Sequence, residues 1–172
     1  EEGGLGPVLV EEGKTDPGIA YRMTVEREGS IWVGLQSTGL ARLRVKQLST
    51  LSEREGLPND SARSVFQDRQ GTIWIGTASG FGQYNQGRLK SYTELNGHPL
   101  GAARSFAEDQ QGRLWLAAGK RLMLMKAGRL SALAGWESSS EIEVIYKDAA
   151  GGVGGGTGGA GLYYYHDGTA RS

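Results

Sequence analysis

The 172-residue chain balances 19 basic against 19 acidic residues, so no net field draws it to nucleic acid or an anionic membrane. It has no cysteine and only two histidines, which excludes disulfide scaffolds, thiolate nucleophiles and cysteine-built zinc sites. Glycine supplies 29 of 172 residues, about 17% against a usual ~7%, and points to a turn-rich domain.

In chain order, the same short pattern returns four times. Gly29-Ser-Ile-Trp32-Val-Gly34 is followed by Gly39-Leu40, and Gly71-Thr-Ile-Trp74-Ile-Gly76 by Gly80-Phe81. A third copy is Gly112-Arg-Leu-Trp115-Leu-Ala117. In the fourth, Gly151-Gly-Val-Gly154-Gly-Gly156 followed by Gly161-Leu162, Gly154 stands in the Trp frame. The Trp spacings are 42 and 41 residues, and an acidic residue precedes each first glycine by three: Glu26, Asp68, Asp109 and Asp148. Self-similarity at such a period is the mark of a repeat architecture.

The second unit shows what one repeat builds. Ser64–Gln67 reads as a strand, and Asp68 to Gly71 as a tight turn in which the Asp bonds backbone amides and Gly takes a positive φ. Thr72–Gly76 follows as a strand apolar on both faces, so both faces must be covered. Gly80–Tyr84 is a third strand, Asn85-Gln86-Gly87 a turn, and Arg88–Tyr92 a half-exposed outer strand. Four-stranded units of about 40 residues that need cover on both faces stack radially, and the expected fold is an all-β propeller. The expected blade units within the single domain 1–172 are 15–55, 56–97, 98–137 and 138–172. Two outcomes are open to four such units. Val8-Leu9-Val10 supplies a missing outer strand beside Tyr163-Tyr164-Tyr165 and the ring closes, or the chain is an arc of a larger propeller with two uncovered blade faces. The arc is the favoured expectation, with self-association as two arcs of one ring.

The run Asp68, Gly71, Ile73, Trp74, Ile75, Gly76, Thr77, Gly80, Phe81, with Gly56-Leu57-Pro58-Asn59-Asp60 before it, resembles the two-component regulator propeller repeat. The first unit departs by Glu26, the third by Ala117 and a changed Gly-apolar step, and the fourth by Gly154. The resemblance spans roughly residues 15 to 172. It implies a bacterial extracytoplasmic sensor region, periplasmic in location, that feeds a histidine kinase, a diguanylate cyclase or a transcription factor. It also implies a propeller of more than four blades.

No stretch approaches the ~20 apolar residues of a membrane-spanning helix. The chain starts at Glu1 without a signal peptide and reads as a piece of something longer.

Gly154-Gly155-Gly156-Thr157-Gly158-Gly159 satisfies G-x-G-x-x-G, yet a strand rather than a helix is expected after it, so no dinucleotide or other cofactor is expected. His98 and His166 fall in separate turns without a partner at metal spacing, and no metal site or catalytic residue is expected. Trp32, Trp74 and Trp115, with Asp68, Asp109, Asp148, Gly71 and Gly112, read as structural repeat positions, the indoles filling the gaps between blades. Trp136 lies outside the frame beside an acidic, Ser-rich link, which makes it the better ligand candidate among the tryptophans, although packing at the rim is the favoured reading. Counting back five from each acidic turn residue gives Tyr21, Arg63, Arg104 and Glu143. If that position faces the propeller axis, these side chains converge near one mouth and suit a carboxylate, a saccharide or an anionic peptide end.

The leading function is therefore a non-enzymatic sensor or ligand-binding module. A propeller lyase or hydrolase like the streptogramin lyases, which share a G-x-[IL]-W signature, is the alternative, and it needs a base from His98 or His166. A protein-interaction platform is the third reading. Expected partners are a small molecule and other blades or a second copy of the chain, not nucleic acid.

Overall fold

The computed structural model describes residues 19–26, 30–37, 39–44, 47–166 and 169–171. The fold is a β-propeller of four blades, each a four-stranded antiparallel sheet in which sequence neighbours pair. Blade one is β1 (Ala20–Val25), β2 (Ile31–Leu35), β3 (Gly39–Arg44) and β4 (Gln47–Leu51). Blade two is β5 (Ala62–Gln67), β6 (Ile73–Thr77), β7 (Gly80–Asn85) and β8 (Arg88–Tyr92). A two-stranded ribbon, β9 (Glu94–Leu95) with β10 (His98–Pro99), leads into blade three. That blade is β11 (Ala103–Glu108), β12 (Leu114–Ala118), β13 (Arg121–Lys126) and β14 (Arg129–Glu137). Blade four is β15 (Ile142–Lys147), β16 (Val153–Thr157), β17 (Leu162–His166) and β18 (Thr169–Arg171). The outer position beside Tyr163–Tyr165 is thus filled by Thr169–Arg171, which pairs with Tyr164, Tyr165 and His166. Val8–Val10, the strand expected there in the closing outcome, lies outside the described residues.

Blades two to four carry a repeated clasp. Asp68 Oδ1 accepts from the amides of Gln70 and Thr72, both at 2.9 Å, while its Oδ2 accepts the indole N–H of Trp74 at 2.8 Å. Asp109 does the same with Gln111, Arg113 and the Trp115 indole at 2.9 Å. Gly71 and Gly112 close these turns with φ of +83° and +72°, a left-handed conformation costly for any side chain. The turn role follows from sequence; the bond to the indole six residues on does not, because it depends on the strand's twist. In blade four, where the Trp is lost, the Tyr164 hydroxyl donates to Asp148 instead, at 2.5 Å.

The blades meet through three apolar layers. The clusters join Trp32 and Leu40 of blade one to Ile73 and Ile75 of blade two, then Trp74 and Phe81 to Phe106, Leu116 and Met123 of blade three. The third joins Trp115 and Leu122 to Ile142, Ile145 and Val153 of blade four. The in-frame tryptophans are buried on the side of each blade that faces the next, here the trailing face. Trp32 sits edge-on to Tyr84 of blade two, with ring centres 5.4 Å apart, and Trp115 lies 5.7 Å from Tyr165 of blade four.

Trp136 corrects one expectation. It is not an exposed, ligand-facing ring but is 3% exposed, packed against Tyr163 with centroids 5.6 Å apart. A Cβ added to Gly155 would lie 3.0 Å from its Cζ2. Gly155 pairs in the place that Ile75 and Leu116 hold in the preceding blades. The indole therefore takes the volume left by a missing aliphatic side chain. Like Leu57 and Leu100, it is a buried apolar residue a few positions before the first strand of a blade, here at the end of β14. The Ser-rich link after it is part of the same packing: Ser138 is also buried.

Candidate functional site

The innermost strand of every blade has the same irregularity. Register shifts fall between Ala20 and Arg22, Ala62 and Ser64, Ala103 and Ser105, and Ile142 and Val144. The residue left unpaired in each β-bulge is Tyr21, Arg63, Arg104 or Glu143. A bulge bends its strand and re-aims the extra side chain away from the alternating faces. The two neighbours then face adjacent blades: the Ser64 hydroxyl donates to the Ala103 carbonyl at 3.2 Å, and the Ser105 hydroxyl oxygen accepts from the Ile145 amide at 3.1 Å. Gly76, paired with Ser64, allows this close approach, since a Cβ there would collide with the Ala103 carbonyl oxygen.

The four bulge residues, together with Arg22, line one open cavity of about 250 Å³. Arg104 ion-pairs with Glu143 at 3.1 Å and also with Glu141. Arg63 makes no hydrogen bond or ion pair with any described residue, and its Nε is buried. The lining thus holds three guanidinium groups against one carboxylate, and among the described residues only Arg104 of the three is neutralised by neighbouring carboxylates. A buried, unsatisfied guanidinium N–H calls for an acceptor, and a planar carboxylate matches its fork. Arg22 was missed from sequence because its equivalents Ser64, Ser105 and Val144 are uncharged. No sequence signal marks it: the bulge that brings two successive residues to one partner position arises only when the strands pair.

A larger groove of about 430 Å³ lies between blades one and two, lined in part by Glu26, Arg42, Gln67, Arg69 and Tyr84. Its arginines serve the packing: Arg42 binds Glu26 and lies 4.9 Å over the Trp32 ring, while Arg69 reaches Glu108 and the Gln110 carbonyl. The remaining sequence candidates lie apart from the axial cavity. His98 is exposed in the ribbon before blade three, and His166 ends β17 with Nε2 3.4 Å from the Ala150 carbonyl. Among the described residues no cluster of three metal-ligating side chains forms. The G-x-G-x-x-G run forms β16 and the bend after it, followed by β17 rather than a helix. No helix among the described residues is long and apolar enough to cross a membrane.

Comparison with known proteins bears on the blade repeat. Residues 56–79 match the model of the two component regulator propeller family. No curated protein sequence matches the chain. Among solved structures, the extracellular domain of a candidate one-component system, BT4673 of B. thetaiotaomicron, superposes with a TM-score of 0.78 at 22% identity. The match covers 94% of this chain and 23% of that one. The extracellular domain of a candidate hybrid two-component system, BT3049 of the same organism, gives 0.69 at 20% identity, over 84% of this chain and 20% of that one. Virginiamycin B lyase from Staphylococcus aureus gives 0.67 at 16%, over 89% of this chain and 57% of that one. The chain spans about a quarter of the length of the first of these. At such identities the likeness is one of fold. Together with the four four-stranded blades, the matched segment identifies the chain as a β-propeller that carries the two component regulator propeller repeat.

Proposed function

We propose that the chain is part of an extracytoplasmic sensor propeller that recognises a carboxylate-bearing small molecule, such as an acidic saccharide, in its axial cavity. The observation that carries the reading is the Arg63 guanidinium, which has no hydrogen-bond or ion-pair partner among the described residues, in a cavity bordered by the bulge residue of every blade. Arg63 and Arg22 supply charge and directed donors, Tyr21 an aromatic face and a hydroxyl, and the Arg104–Glu143 pair a fixed polar wall. The likeness to extracellular domains of bacterial signalling systems supports the location and the sensing role. The lyase reading draws less support, since the two histidines belong to different parts of the chain and neither lines the cavity. Thermal-shift screening of hexuronic acids, dicarboxylates and matched neutral sugars tests the proposal. Stabilisation is expected with the acids alone and is lost in Arg63→Gln. Stabilisation by the neutral sugars, or an equal response in Arg63→Gln, would overturn it.

A further inference from the structure

The side of each blade that faces its successor is built alike, and in the first three blades it is sealed. Leu40, Phe81 and Leu122 hold one column of that face, each paired with the strand position of Gly34, Gly76 or Ala117, and all three are 0% exposed. Leu162 holds the same column in blade four, paired with Gly156, and is 69% exposed. Around it Val144, Tyr146 and Tyr164 are exposed as well. The opposite, leading face is sealed in blades two to four and open in blade one. Met23 there stands in the column of Val65, Phe106 and Ile145, all packed into the inter-blade clusters, yet is itself 71% exposed. One molecule thus presents both halves of its own repeated interface, one at each end of the row of blades.

We infer that the chain associates head to tail with a second copy, the trailing face of blade four seating on the leading face of the partner's blade one. The occupant is set by continuity with the three interfaces already present: the open trailing face carries an apolar residue where Phe81 and Leu122 are buried, and the open leading face carries one where Phe106 and Ile145 receive them. An interface of this kind joins different patches, so two copies form a closed pair when the rotation per blade brings both seams together. Exposed contiguous apolar surface of this sort marks an interaction site.

The experiment is light scattering on size-separated protein at several concentrations, with Leu162→Asp and Met23→Asp as variants. Both side chains are exposed, so neither change disturbs the fold, and circular dichroism checks this. The chain is expected at twice its 18.4 kDa mass, and each variant alone at 18.4 kDa. An equimolar mixture of the two variants retains one intact seam and is expected to recover the pair at high concentration. A wild-type monomer at all concentrations would overturn the inference. So would a Met23→Asp variant that stays dimeric, because association would then run through two trailing faces.

Discussion

Arg104 and Glu143 sit in equivalent bulges of successive blades, 39 residues apart, and their side chains meet at 3.1 Å across the axial cavity. The contact turns a repeat position into a wall: two blades are tied through the residues their bulges push inward. The pair is partly open to water, so removing it is expected to cost only about 0–1 kcal/mol of stability. Arg104→Ala should therefore melt within a few degrees of the parent while weakening acidic-ligand binding less than Arg63→Gln does. Denaturant titration and ligand thermal shifts read the two effects separately. A larger binding loss at Arg104 than at Arg63 would place the anion contact on the wrong arginine.

Trp74 and Trp136 are expected to be similarly important to stability, although only Trp74 belongs to the sequence repeat. Both are nearly inaccessible, and truncating a buried Trp to Ala costs about 3–5 kcal/mol. Urea unfolding of Trp74→Ala and Trp136→Ala measures this. A near-neutral Trp136→Ala would contradict its role in filling the space beside Gly155.

Gly76→Ala is expected to destabilise by about 1–3 kcal/mol, the range for overpacking a closed site. The added methyl meets the Ala103 carbonyl and the Ser64 hydroxyl at the approach of blades two and three. Calorimetry should show a lowered Tm with little change in circular dichroism. A Tm at or above the parent's would mean that the two inner strands can move apart freely.

Acid should loosen the blades through their clasps. Burial works to raise the Asp109 pKa, but bonds from the Trp115 indole, the Arg113 amide and the Arg113 guanidinium outweigh it and hold the carboxyl below its ordinary value. Hydrogen bonds from the Tyr164 hydroxyl and the Gly152 amide lower Asp148 in the same direction. A carboxylate with a depressed folded-state pKa contributes stability that is full above the ordinary aspartate range and fades as pH falls through the folded value. Tm should therefore hold near neutrality and decline below about pH 4, where unfolded aspartates begin to protonate. Asp109→Asn should lower the neutral-pH Tm and flatten that decline. An unchanged acid slope in this variant would remove Asp109 from the account.

The repeat made most of the fold legible. A Trp every 41 or 42 residues, a fixed acidic turn and a strand apolar on both faces leave radial stacking as the way to cover the sheets. The axial set was also legible, because equivalent positions in equivalent strands must face alike, and Tyr21, Arg63, Arg104 and Glu143 do border one cavity. What makes them face it was not. A bulge has no composition signal in Arg63-Ser64 or Glu143-Val144; it arises from the pairing of two strands. Trp136 was misplaced for a related reason. Its polar neighbours suggested exposure, while its burial depends on the small Gly155 opposite, a contact between two elements that no local pattern encodes. Arg22 and Glu141 entered the site by the same route, through neighbours in space.

The most direct test of the axial anion site is a side-chain nitrogen–proton NMR correlation of the arginine Nε–H groups, with Arg63→Gln identifying the Arg63 signal. Titration with the hexuronic acid that gives the largest thermal shift should move the Arg63 resonance strongly. The Arg69 and Arg113 resonances, outside the cavity, should stay in place. An Arg63 resonance unmoved while the acid still stabilises the protein would place recognition elsewhere and contradict the account.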